Sequence, residues 1–227
     1  MTEKETLIID DNWKALSYKK RKVGHAEISK HTYTPGYYLM EGIDGYLYYE
    51  VVKPLQITNL KISGDVVMVD DPLHWIGMKR IAEACHGKVL VGGLGLGIIL
   101  HHLKNNNKVT KIVVCEIDID VIELISSVIP DDSRVMILCK DVFSVYDESI
   151  KSFDVIVLDV CVKAGNDFKK DFPDMNAIRV FKLRHFDKKV YVWGINDNKY
   201  NPGYCPSPEI EKRLGLLKAE RKKRNYQ

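Results

Sequence analysis

The run Val89-Leu90-Val91 leads straight into Gly92-Gly93-Leu94-Gly95-Leu96-Gly97, and a second apolar run, Ile112-Val113-Val114-Cys115, ends on Glu116. Strand, glycine turn, helix, strand, acid is the order of a pocket for an adenosine-type ligand. Glycine lets the backbone approach the ligand closely, and the acid at the next strand's end accepts hydrogen bonds from ribose hydroxyls. Three more carboxylates stand where strands should end: Asp118, Asp141 and Asp159. Each signal has a plainer counterpart. The glycines also suit a tight turn, and Glu116 also suits a solvated strand end. Asp118 suits the N-cap of the following helix. Asp141 suits either a cap or a contact to the ligand's base. Asp154, at a strand's start, reads as solvent-facing.

The spacing narrows the chemistry. A dinucleotide fingerprint starting at Gly93 needs its third glycine at the position of Ile98, so a dehydrogenase is disfavoured. No Gly-Lys-Ser/Thr follows, so this is not a phosphate loop of the nucleotide triphosphatase kind. The pattern present is G-x-G-x-G over Gly93, Gly95 and Gly97.

The elements that must carry these residues alternate regularly from Lys88. Strands are expected at 88–91, 111–115, 134–138, 153–158 and 189–193, with helices at 96–105, 118–127 and near 173–185. Such alternation predicts a parallel sheet with helices on both faces, whose ligand side is the carboxyl edge of the strands. Asp71-Pro72 reads as N-cap and first residue of a preceding helix, and Gly87 suits its stop. Residues 1–70 read as short antiparallel strands, with Asp44-Gly45 as a hairpin turn. Ser207 onward reads as one charged helix. The expected division is a β-rich extension over 1–70, a ligand-binding α/β domain over 71–206 and a basic C-terminal helix over 207–227.

Composition excludes several classes. A content of 45% hydrophobic and 29% charged residues is that of a globular chain. A net charge of +3 does not mark the whole molecule as a nucleic-acid binder. The basic excess is local, at Lys212, Arg213, Lys218, Arg221, Lys222, Lys223 and Arg224, where nucleic-acid contact competes with a merely solvated helix face. No apolar run is long enough for a membrane span, and the N-terminus does not read as a signal peptide. Cys85, Cys115, Cys139, Cys161 and Cys205 lack any C-x-x-C spacing and read as reduced thiols of a cytoplasmic protein.

The segment Lys88 to Val160 resembles the class I S-adenosylmethionine-dependent methyltransferases, and among them the spermidine-synthase-like branch. The residues that carry the resemblance are 89–97, Cys-Glu-Ile-Asp-Ile-Asp-Val-Ile-Glu-Leu (115–124), Lys-Asp-Val-Phe (140–143) and Phe-Asp-Val-Ile-Val-Leu-Asp (153–159). The resemblance implies a Rossmann-like α/β fold that binds S-adenosylmethionine and releases S-adenosylhomocysteine. It implies a cofactor site of Gly92, Gly93, Gly95, Gly97, Glu116, Ile117, Asp141, Val142 and Asp159. In it Glu116 holds the ribose, Asp141 and Val142 meet the adenine, and Asp159 stands at the reacting centre as the catalytic group. His74 and Trp75 are expected near the acceptor. The chain departs from the branch at Gly95, where spermidine synthases usually carry an acid. It departs again at Val162, where they carry an aspartate implicated in activating the amine. It also lacks the Asp/Asn-Pro-Pro-Tyr of amino-group DNA methyltransferases.

The expectation is methyl transfer to a small-molecule acceptor. Aminopropyl transfer from decarboxylated S-adenosylmethionine is the alternative, and a non-catalytic nucleic-acid or protein-binding module on the same fold is another. His101-His102 point about 100° apart on a helix and do not chelate together. Asp70, Asp71 and His74 lack a fourth ligand, so no metal is expected. The sequence sets no oligomeric state and admits a homodimer.

Overall fold

The computed structural model describes residues 16–42, 45–129, 131–160 and 175–193. The expected C-terminal helix, its basic cluster, Val162, Cys161 and Cys205 lie outside them. Among the described residues the strands and α-helices follow in the order β1 (Arg21–Val23), β2 (Ala26–Tyr33), β3 (Gly36–Gly42), β4 (Gly45–Val51), β5 (Leu55–Ile62), β6 (Asp65–Val69), α1 (Pro72–Ala84), β7 (Gly87–Gly92), α2 (Ile98–Lys104), β8 (Val109–Glu116), α3 (Ile119–Ile125), β9 (Val135–Cys139), α4 (Asp147–Ile150), β10 (Val155–Leu158), α5 (Met175–Arg184) and β11 (Lys189–Val192).

The later strands form one five-stranded sheet in the order β11-β10-β7-β8-β9, with each neighbouring pair parallel. The earlier ones form an antiparallel sheet, β1-β2-β5-β6, and the hairpin β3-β4. The protein is thus an α/β fold with a Rossmann-like sheet and a β-rich N-terminal unit. The chain order reverses between β7 and β10, which makes the gap beyond their carboxyl ends the switch point where such sheets bind ligands.

The core explains why these strands read as unbroken apolar runs. Side chains alternate between the two faces of a strand, and here both faces are covered. Val89, Val91, Ile112, Val114, Val155 and Val157 face one cluster, together with Met78 and Ile81 of α1, Ile98 and Leu100 of α2, and Leu124 of α3. Leu90, Val113, Ile156, Leu158 and Val190 face the other, with Ile150, Ile178 and Phe181. Tyr18, Ala26, Ile28, Ile57 and Leu60 join the first cluster, so the N-terminal sheet and the parallel sheet share one core.

Caps set the helix starts. Asp71 accepts from the His74 amide at 2.9 Å, with Pro72 in the first turn of α1. Asp118 accepts from the Asp120 amide at 2.9 Å and opens α3. Helix α2 is shorter than its apolar pattern suggests, because the glycine turn runs on to a left-handed Gly97 at the N-cap. Helix α3 tightens into a 3-10 turn over Ser126–Val128. Asp154 is exposed, as expected of a strand start, and also accepts from the Lys88 amide at 2.8 Å, tying β10 to β7. Among the described residues no helix is long and apolar enough to cross a membrane.

Candidate active site

The glycine turn is held from three sides. Gly93 donates its amide to the Cys115 carbonyl at the end of β8, at 2.8 Å. Gly93 has φ +89°, and a Cβ there would run into the Asp159 carbonyl oxygen, so only glycine allows β7 and β10 to close at this point. Gly95 has φ +52°, and a Cβ there would overlap the Met68 sulfur, which reaches across from β6. Met68 Sδ also takes the Leu96 amide at 3.0 Å, and Tyr18 donates its hydroxyl to the Leu96 carbonyl at 2.6 Å. Burial pushes the Tyr18 hydroxyl up, which keeps it a donor. Gly92 meets Val142, so the base-contact candidate packs directly on the turn. Within the turn only Gly93 and Gly95 keep partial exposure.

Glu116 is buried and its carboxylate faces the turn. Oε2 accepts from the Leu94 amide at 2.8 Å and Oε1 from the Asp118 amide at 3.0 Å. A buried carboxylate needs such donors. A carboxylate has about four lone-pair sites, so two backbone donors leave capacity for ribose hydroxyls. Ile117, next along, is 72% exposed and packs on nothing in the core. Asp141 caps the short turn after β9, accepting from the Phe143 amide at 2.9 Å, and is exposed.

Asp159 follows β10 and donates its amide to the Gly92 carbonyl at 2.8 Å, which places it directly across the switch point from the turn. Its Oδ2 lies 3.6 Å from His74 Nε2, and the two side chains are only 6% and 7% exposed. Trp193, at the end of β11, holds the other side of the imidazole, ring centroids 4.2 Å apart at 36°.

Glu116, the glycine turn, Val142, Asp159 and His74 therefore converge at one edge. Trp75 does not join them. Its ring lies 5.3 Å from that of His101 and 4.6 Å from that of His102, in the contact of α1 with α2. Burial there pushes His102 down to about 4, which keeps its imidazole neutral. Asp70 accepts from the Thr58 amide and Asp71 caps α1, so neither is aimed at a shared ligand with His74.

Sequence reading missed four participants, Tyr18 among them. His25, in the β1–β2 turn, sets Nε2 2.7 Å from Asp118 Oδ2 and Nδ1 2.7 Å from Asp120 Oδ2. The Asp118 hydrogen bond, then the charges, raise its pKa above the ordinary imidazole value. The three side chains have the composition of a cation site, but both ring nitrogens already face carboxylates. Met68 and Trp193 are the other two. No local pattern marks any of them, because each acts across a tertiary contact.

The family model of the spermine/spermidine synthase domain matches residues 76–184. Among solved structures, the chain is similar to the spermidine synthase of Thermotoga maritima, with 18% identity and a TM-score of 0.34 over 55% of this chain and 56% of that one. It is similar also to a spermidine synthase in complex with the transition state analogue AdoDATO, with 18% identity and a TM-score of 0.34 over 64% of this chain and 56% of that one. The alignments thus span little more than half the length of either structure. No curated protein matches this chain.

Proposed function

We propose that this chain is a transferase acting on an S-adenosyl sulfonium donor, and that it moves an aminopropyl group from decarboxylated S-adenosylmethionine to an amine. The observation that carries the reading is the Glu116 carboxylate turned onto the glycine turn, with Asp159 across the switch point. The match to the spermine/spermidine synthase domain favours aminopropyl over methyl transfer.

The residues present suit such a donor. Partial exposure in the turn is confined to Gly93 and Gly95, where a Cβ would run into Asp159 and Met68. Glu116 has acceptor capacity for ribose hydroxyls, and Val142 packs against Gly92 at the foot of the turn. The bound donor supplies an electrophilic carbon next to a cationic sulfur. Carboxylates at 116 and 159 put negative charge along that path, where a buried setting strengthens it. The remaining contribution is orientation of donor and acceptor for in-line displacement.

Methyl transfer is the second reading, and two observations favour it. Val162 replaces the aspartate linked to amine activation, and Met68 fills the place beside Gly95 that an acidic side chain would need. Calorimetric titration of the full chain with methylthioadenosine and with S-adenosylhomocysteine tests the shared part. Labelled decarboxylated and intact donors, each offered putrescine, test the rest. Binding of methylthioadenosine and label transfer from the decarboxylated donor are expected. Transfer from intact S-adenosylmethionine alone would reverse the order of the two readings, and binding of neither nucleoside would end both.

A further inference from the structure

Three histidines bury an Nε2 that has no hydrogen-bond partner among the described residues: His74, His102 and His185. His102 sits in the α1–α2 contact against Trp75, and His185 follows α5, beside Phe181 and 3.6 Å from Asp147. Only His74 stands at the carboxyl edge of the parallel sheet. A buried polar atom without a partner calls for an explanation, and this one is aimed at a carboxylate.

Its orientation is fixed from both sides. The His74 backbone is pinned by Asp71 in the first turn of α1. Trp193 covers the ring, and its strand is locked to β10 through its amide on the Leu158 carbonyl at 2.9 Å. The gap of 3.6 Å to Asp159 Oδ2 is too long for a hydrogen bond. With the proton of a neutral imidazole on Nδ1, the Nε2 lone pair and the carboxylate face each other and neither has a proton to share. A group that brings hydrogens to this edge would satisfy both.

We infer that His74 Nε2 receives the proton given up by the acceptor's nucleophile, with Asp159 as the positioning residue that holds the imidazolium. The assignment rests on the transferase reading. The nucleophile N–H bond breaks and its proton moves to Nε2. The nitrogen lone pair forms the new bond to the donor carbon. The carbon–sulfur bond breaks, and its electron pair neutralises the sulfonium to a thioether. Imidazole suits this task better than a lone carboxylate, because it titrates nearer neutral pH. It also supplies a base in a chain that has Val162 in place of the second aspartate.

The test uses the full chain with decarboxylated S-adenosylmethionine and putrescine, in single turnovers from about pH 6 to about pH 9. His74→Gln is expected to bind methylthioadenosine as the wild type does. It is also expected to transfer about 100-fold more slowly or worse and to lose the acid limb of the pH profile. Asp159→Asn is expected to slow transfer while keeping that limb. A second readout needs no turnover. In 15N-histidine spectra of the methylthioadenosine complex, putrescine should move one ring nitrogen, and His74→Gln should delete that resonance. Wild-type rate and an intact acid limb in His74→Gln would overturn the assignment. So would a His74 resonance indifferent to putrescine, a measurement that stands even if His74→Gln fails to fold. Failure of the wild type to bind methylthioadenosine would instead bring down the transferase reading, and this assignment with it.

Discussion

Replacing Glu116 by glutamine separates bracing from binding at the centre of the site. The native carboxylate accepts from two backbone amides, one on each oxygen: Leu94 at 2.8 Å and Asp118 at 3.0 Å. Glutamine has one oxygen and one NH2 group, so one of those amides must face another donor. A buried donor left unsatisfied costs about 1–3 kcal/mol. For a domain of this size that is a fall in Tm of about 2–12 °C. On the proposed function ligand affinity should fall as well, because a ribose hydroxyl loses a carboxylate acceptor. A hydrogen bond to a charged group is worth about 1.5–3 kcal/mol, which is about 10- to 150-fold in Kd. Differential scanning calorimetry reads the first effect, and titration with methylthioadenosine below the melting range reads the second. A lower Tm with unchanged affinity would show that Glu116 only braces the turn, and the ribose role would be lost. An unchanged Tm would show that the two backbone bonds do not carry the weight assigned to them here.

The His25 clamp gives a pH signature. Its pKa is raised, so the stabilisation is complete below the ordinary imidazole value of about 6.5 and fades as pH climbs through the higher folded value. His25→Gln should therefore melt below the wild type at about pH 6, with the gap closing toward alkaline pH; a gap that does not vary with pH would refute an ionic clamp. Gly95→Ala should cost the left-handed backbone strain, about 1–2 kcal/mol, plus the overlap with Met68. Combining it with Met68→Ala should relieve the overlap, so strictly additive losses in urea titrations would argue against that contact. Leu90→Ala, at 1% exposure on a central strand, should cost about 2–5 kcal/mol, read from the urea midpoint. A loss below about 0.5 kcal/mol, the range of surface substitutions, would place that side chain outside the core.

The parallel sheet was legible because strands buried on both faces must be apolar throughout, and the runs from Val89, Ile112 and Val155 have no other use. Asp71 and Asp118 were legible as caps because their role is local. The turn at Gly92–Gly97 and its acid were legible for the same reason: strand, bend and acid follow one another along the chain. What pairs with them was not. Nothing near Tyr18, His25 or Met68 in sequence points to Leu96, Asp118 or Gly95, and those contacts exist only because two sheets share a core. His74 and Trp75 show the limit at closest range. Neighbours on a helix diverge by about 100°, so one reaches Asp159 while the other lies against α2. Adjacency in sequence placed both at one site, and geometry separates them.

The hold that Tyr18 and Met68 have on Leu96 bears on how the chain can be cut. A fragment beginning at Asp70 would keep every strand of the parallel sheet and still lose the props beneath its glycine turn. Fragment design aimed at the proposed site must therefore retain the leading sheet. Conversely, exchange of that sheet offers a way to reshape the support of the turn without touching a residue of the turn itself.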